Sequence, residues 1–406
     1  MTPSFLVIFL GSVFLLLPLA QERLFPSIPL YQAEIPLLFV GVFLLQHPSF
    51  WTGLYHLIQK ERLFFFTQAM VVGGAMLSLA FSDSFLDGLG LLKSFVFLPI
   101  LFMLFLALIA RSEEYQRHIL LLWWVGLVGA ALASLWLYQE GILTYDGRLA
   151  SFYASPNYLA MLLAPGVLLS WWFLDDRWSW RQGIIWTGAA ILLGALILTR
   201  SYAVILVTLF LSAVLLLPLI KQSRRTRRIY FFLGISLLIL GWWGSQEIAT
   251  EKFHQLFDYT GRSSTASRLI IWEVAMRLSY ETFPWGIGLG NFQDQYLASQ
   301  PLFPPYLEWA VPEPHNLFLS LFLSTSIVGF IGYLWGTILI SRRLMTALAQ
   351  SDQYTQKTAR LLLGLLSWFW LVGLVDTPFF RNDLAFVWWG VLGIALSLTS
   401  PQKTRD

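Results

Sequence analysis

Apolar residues run through this 406-residue chain in long blocks joined by short polar stretches, and one long polar interval, Ser245 to Pro314, breaks the rhythm. The blocks approach the roughly 20 apolar residues that a helix needs to cross a bilayer core. They predict about twelve spans, at 4–19, 33–46, 65–81, 89–110, 118–137, 156–174, 184–198, 202–219, 229–244, 316–340, 361–375 and 384–399. The second, seventh and eleventh are short for a bilayer. Pro99 and Pro165-Gly166 fall inside spans, where neighbouring helices can satisfy the freed backbone groups. The predicted fold class is all-α: a polytopic membrane protein with one long loop, 245–315, containing short helices. No internal repeat or low-complexity segment interrupts it, so 1–406 reads as a single membrane domain with no soluble domain before or after.

Composition agrees. Hydrophobic residues make up 57% of the chain and charged residues only 12%, against about 25% charged in soluble domains. Mean hydropathy is +0.66. The 19 Trp and 33 Phe suit anchoring at the two membrane interfaces. Cysteine is absent, which leaves neither disulfides nor thiolate metal sites. A net charge of +3, with the basic residues in short inter-helix clusters, does not indicate nucleic acid. The first block, Thr2 to Leu19, lacks the basic flank of a signal peptide and reads as a retained helix.

Positive charge sets the orientation. With twelve spans, seventeen of the 26 Lys and Arg fall on the side of the termini, including the run Lys221 to Arg228, and nine fall on the other. Both termini are therefore predicted in the cytoplasm, and the run facing anionic inner-leaflet lipid is a topology determinant. Arg148, Arg200, Arg268 and His315 then share the outer face, with the long loop above them.

The motifs on that face resemble those of the O-antigen ligase and polysaccharide polymerase superfamily of bacterial inner-membrane proteins. They are Ser267-Arg268-Leu269 followed by Trp272, and Pro284-Trp285-Gly286-Ile287-Gly288-Leu289-Gly290-Asn291-Phe292 with Tyr296. His315-Asn316-Leu317-Phe318-Leu319 is similar to the His-Asn motif that opens the helix after that family's large periplasmic loop. Gly147-Arg148-Leu149 with Ser155-Pro156-Asn157-Tyr158 resembles its Arg…Pro-Asn segment, and Leu198-Thr199-Arg200-Ser201 its Ser-Arg-Gly element, with Thr199 for Ser and Ser201 for Gly. The resemblance is strongest over 145–335. It implies an inner-membrane enzyme that moves a glycan from undecaprenyl diphosphate, on the periplasmic face, to the core of lipid A (ligases) or to another lipid-linked repeat unit (polymerases). It implies metal-independent chemistry without a cofactor, with arginines on the diphosphate and the loop histidine assisting the acceptor.

The residues suit that chemistry. A departing diphosphate gathers negative charge, which without a metal falls to guanidinium groups that stay protonated and grip phosphate oxygens in pairs. Arg200, in a very short turn between spans, and Arg268 are the candidates; their bland readings are headgroup snorkelling and a helix-surface charge. Histidine, with an ordinary pKa of about 6.5, suits removal of a hydroxyl proton. His315 alone stands where the long loop meets a span, whereas His47, His56 and His118 fall on the cytoplasmic side and His254 lies early in the loop. Its bland reading is a helix-start residue bonding the backbone, and Glu313 reads equally as its partner or as an exposed loop carboxylate.

Arg148 reads as a second phosphate or acceptor-lipid contact or as a headgroup anchor. Asn157, Trp272 and Asn316 complete the substrate-binding candidates, Trp272 beside Trp285, Phe292 and Trp309 as sugar-stacking or interfacial aromatics. Gly286, Gly288 and Gly290 suit tight turns or close packing; no strand precedes them, which argues against a nucleotide loop. Asp376 and Arg381 read as a structural pair. The expected partners are an undecaprenyl-diphosphate-linked glycan, a glycan or lipid A-core acceptor and membrane lipids. The competing class is a transporter related to bicarbonate transport, but a carrier needs ionisable groups near mid-bilayer on several helices; here they gather at one surface.

Overall fold

The computed structural model describes residues 3–19, 23–25, 28–82, 85–175, 179–222, 241, 244–250, 253, 254, 257, 263–304, 311–350 and 352–398. Most of the predicted span at 229–244, most of the basic run to Arg228, and Trp309 lie outside them.

The described chain is helical apart from one antiparallel hairpin, Arg23–Phe25 with Ile28–Tyr31. The long apolar blocks become α1 (Pro3–Leu15), α2 (Glu34–Leu45), α3 (Pro48–Lys60), α4 (Arg62–Leu79), α5 (Phe85–Leu92), α6 (Leu98–Ile109) and α7 (Glu113–Gln139). They continue as α8 (Pro156–Phe173), α9 (Trp180–Leu198) and α10 (Tyr202–Gln222). The polar interval supplies α11 (Ser264–Glu281) and α12 (Phe292–Ser299), followed by α13 (Leu317–Ala347), α14 (Gln353–Val372) and α15 (Asn382–Leu398). Short polar residues begin these helices by taking up orphan backbone N–H groups. Ser112 accepts from Tyr115, Ser155 from Asn157, Ser179 from Gln182, Ser263 from Ala266, and Asp352 from Tyr354 and Thr355.

Among the described residues, five helices are long and apolar enough to cross a membrane: α4, α5–α6 together, α7, α9 and α13. The pair α2–α3 makes a sixth only if it counts as one span, for it bends by 99° at its break. The second predicted span, 33–46, is thus one arm of a broken element, because Pro48 opens a new helix. Within α5–α6, Lys93–Phe97 widens to a π turn just ahead of Pro99, as expected where a proline ring displaces the carbonyl of the preceding turn.

Packing places two of these blocks in the interior. α15 is buried along Asn382–Ser397 and α8 along most of its length, so both are apolar all round and belong to the interior. Trp368, Trp389, Phe102, Phe369 and Phe386 fill that interior. α13 and α4 approach through small residues: a Cβ on Gly74 would stand 2.2 Å from the Gly329 nitrogen, and one on Gly332 2.7 Å from the Thr67 carbonyl. Apolar helices in contact with lipid gain association mainly from such close van der Waals packing.

The polar interval folds onto this bundle. Ile271, Val274 and Leu278 of α11 join Ile287, Phe292 and Tyr296 in a second apolar cluster against Phe322 and Leu323 of α13. There α13 breaks at Ser326 (φ 59°, ψ 175°). Gly286, Gly288 and Gly290 cross the break at φ 75°, 86° and 84°, and Ile287 N–H donates to the freed Leu323 carbonyl at 2.7 Å. A Cβ on Gly286 would meet that carbonyl oxygen at 2.4 Å. The glycine series therefore serves close backbone approach.

Candidate active site

Three chain segments meet where α13 begins. Asn316 caps α13, its Oδ1 accepting from Phe318 N–H at 3.0 Å and Leu319 N–H at 3.1 Å. Its Nδ2 donates to the Leu374 carbonyl at 3.0 Å, and Leu317 N–H donates to the Gly373 carbonyl at 2.7 Å. These bonds pin the start of α13 to the end of α14, which sets His315 beside Asp376. From the third segment, Trp272 of α11 donates its indole N–H to the His315 carbonyl at 3.2 Å. His315 is held at φ 50°, a left-handed conformation costing a residue with a Cβ roughly 1–3 kcal/mol and common at functional sites.

His315 Nδ1 lies 3.1 Å from Asp376 Oδ1, and Arg268 Nη2 lies 3.7 Å from Asp376 Oδ2. One buried carboxylate thus faces both an imidazole and a guanidinium. Thr377 N–H also donates to Asp376 Oδ1 at 2.9 Å, fixing its orientation. The buried Arg268 Nε has no hydrogen-bond partner among the described residues, an exception that calls for an explanation in a folded protein. Glu313, buried rather than an exposed loop group, accepts from the Tyr158 hydroxyl of α8 at 3.0 Å.

The electrostatics follow from burial and neighbours. Burial raises the Glu313 carboxyl to about 7, with the Asp376 charge adding to the rise and His315 opposing it. Burial alone would lower His315, but its bond to Asp376 and the charges of Asp376 and Glu313 outweigh that and raise it. Burial pushes Asp376 up, yet His315 and Arg268 together hold it below the ordinary carboxylate range. Ligand atoms of Glu313, His315 and Asp376 lie within 4.8 Å of one another, a grouping that suits a metal ion by distance. Against that use, the cationic Arg268 already stands on Asp376.

Sequence reasoning paired Asp376 with Arg381. The structure instead gives Asp376 to His315 and Arg268, and gives Arg381 to Asp383, with Nε–Oδ1 at 3.2 Å and Nη2–Oδ2 at 3.1 Å. Arg381 also lies over the Tyr158 and Tyr153 rings, 4.0 and 4.4 Å from their centroids. The expected pairing is thus corrected: the turn between α14 and α15 supplies the carboxylate at the hub of the cluster, from outside the motif region. The available signal was an aspartate at the end of an apolar block, where an ionisable group is costly without a partner.

The remaining candidates have partners of their own. Arg200 follows α9 at φ 51°, where glycine usually sits, and its Nε lies 2.9 Å from Glu247 Oε1. Glu247 also accepts from the Tyr202 hydroxyl at 2.7 Å. Arg148 pairs with Asp146 of its own turn at 2.6 Å, and that turn docks on α9 through Leu149 N–H to the Leu198 carbonyl at 3.0 Å. Asn157 lies in the first turn of α8, next to Tyr158. Trp285 stacks on Phe81 and Phe292 is buried, so neither reaches the cluster as a free ring.

In comparison with known families, residues 187–334 fit the family described as O-Antigen ligase. The matched stretch runs from α9 into α13 and contains Arg200, Arg268 and His315, while Asp376 lies beyond it. A search of curated proteins found no match to the chain.

Proposed function

We propose, on the match of residues 187–334 to the family described as O-Antigen ligase, that this chain is an inner-membrane glycosyltransferase working on the periplasmic face. It moves a glycan from undecaprenyl diphosphate to a hydroxyl of a lipid A-core or other glycan acceptor. The observation that carries this reading is the single carboxylate, Asp376, that faces both His315 and Arg268.

With Nδ1–H donated to Asp376, the neutral imidazole presents Nε2 as the free base. That nitrogen takes the proton of the acceptor hydroxyl as its oxygen bonds to the sugar anomeric carbon. The bond from that carbon to the diphosphate oxygen breaks, and its electron pair leaves with the diphosphate. Arg268, with its unpartnered Nε, meets the growing negative charge. Arg200 and Arg148 hold further phosphate or lipid oxygens, exchanging their carboxylate partners for substrate, while Asn157 and the half-buried face of Trp272 border the sugar. Asn316, already capping α13, acts by keeping His315 in place.

The test is reconstitution with an undecaprenyl-diphosphate-linked glycan, offering core lipid A and a second donor in parallel. Single capping of the core indicates a ligase. Elongation without core indicates a repeat-unit polymerase, which would use the same geometry. No consumption of donor rejects transfer and leaves a transport-related role. His315→Ala should abolish transfer while leaving the protein folded and inserted; wild-type rates in that variant would remove the base.

A further inference from the structure

A cavity lies at the far ends of helices that lead to the candidate active-site residues. α8, α9 and α14 contain 18, 19 and 20 residues, so at about 1.5 Å per residue they separate their two ends by about 30 Å. That is the thickness of a bilayer core. Their far ends, with the start of α7, surround a cavity of about 940 Å³. An apolar groove of about 530 Å³ between α7 and α9 shares Trp124, Val125, Trp180 and Ile184 with it. The two voids form one compartment, charged at its mouth and apolar along its length.

The charges are of both signs. Glu113, Glu114, Asp175 and Asp352 line the cavity together with Arg117, Arg181 and Lys357. Aromatic faces hold the cations in place: Arg117 lies 5.0 Å from the Tyr354 centroid, and Lys357 5.6 Å from that of Trp172. A purely anionic headgroup would meet four carboxylates, and a purely cationic one three positive groups. A headgroup carrying one charge of each sign satisfies both sets. The groove suits an acyl chain, because a Cβ on Gly129 or Gly183 would meet nothing within 4 Å.

We propose that this compartment binds one zwitterionic glycerophospholipid, its phosphate beside Arg117, Arg181 and Lys357 and its ammonium beside the carboxylates. An acyl chain lies along the groove between α7 and α9. The end concerned is the one with the excess of Lys and Arg, so the lipid comes from the leaflet opposite the candidate active site. It braces the N-termini of α7, α9 and α14, and the other ends of α9 and α14 lead to Arg200 and Asp376.

The experiment embeds the full-length protein in nanodiscs with equal phosphatidylethanolamine and phosphatidylglycerol, then counts lipids retained on release by native mass spectrometry. One phosphatidylethanolamine should stay per chain, preferred over phosphatidylglycerol by about tenfold. Gly183→Leu fills open space and should abolish retention. The double change Glu113→Gln, Glu114→Gln, at exposed positions, should keep a lipid bound but erase or reverse the preference. Equal retention of both lipids by the wild type, a preference for phosphatidylglycerol, or retention unaffected by Gly183→Leu would each overturn the proposal. Glycan transfer is not the readout, so this result stands or falls separately from the function proposed above.

Discussion

Asp376→Asn is the sharpest perturbation of the candidate site, because it keeps the shape and deletes one charge. At an effective dielectric of about 20, a full charge 3.1 Å from protonated His315 is worth about 5 kcal/mol of attraction. The same charge 3.7 Å from Arg268 is worth about 4.5 kcal/mol. In the active, neutral form the imidazolium forms as the acceptor proton is taken, so the first figure falls on the transition state. At about 1.36 kcal/mol per tenfold, it bounds the rate loss near 10⁴-fold. An asparagine amide can also donate to Nδ1, which leaves Nε2 protonated and unable to act as base; the equivalent change in serine protease triads costs about 10⁴-fold. The expected loss of glycan transfer is therefore about 10³- to 10⁴-fold. The assay is initial rate against pH in nanodiscs with lipid-linked donor. A base works when neutral, so activity rises with pH through the His315 pKa. Asp376 raises that pKa, so its loss should move the acidic limb to lower pH. A rate within tenfold of wild type, with an unmoved limb, would refute the arrangement.

Other outcomes follow from the same geometry. Glu313 is raised from 4.5 to about 7, so the folded state holds a proton that the unfolded state releases, and stability falls as pH rises between those values. Glu313→Gln should flatten that fall, gaining up to about 3 kcal/mol above pH 7; melting curves parallel to wild type from pH 4.5 to 8 would contradict it. His315, also raised, contributes a loss of the same sign as pH climbs through its own pKa. Gly74→Val forces a side chain onto the Gly329 backbone and should lower stability by about 3 kcal/mol, read as a drop in melting temperature in detergent. Transfer should survive EDTA undiminished, given Arg268 on Asp376; loss of activity restored by a divalent ion would instead assign Glu313, His315 and Asp376 to a metal.

The amino-acid order by itself determined that the chain is helical and bound for a membrane, because apolar length and charge scarcity act locally along each segment. It also marked Arg200, Arg268 and His315, since each sits in a short motif at the edge of an apolar block. Periodicity does not say which neighbour covers a block, however. The runs 156–174 and 384–399 became interior helices, and 33–46 became one arm of a bend. Only the tertiary structure decided the partners of the charges. Asp376 stands 61 residues from His315 in the chain, and nothing local distinguishes a bond to His315 from a pairing with Arg381 five positions away. The contact exists because Asn316 and Leu317 fasten the start of α13 to the end of α14, and such long-range bonds leave no periodic trace in the sequence.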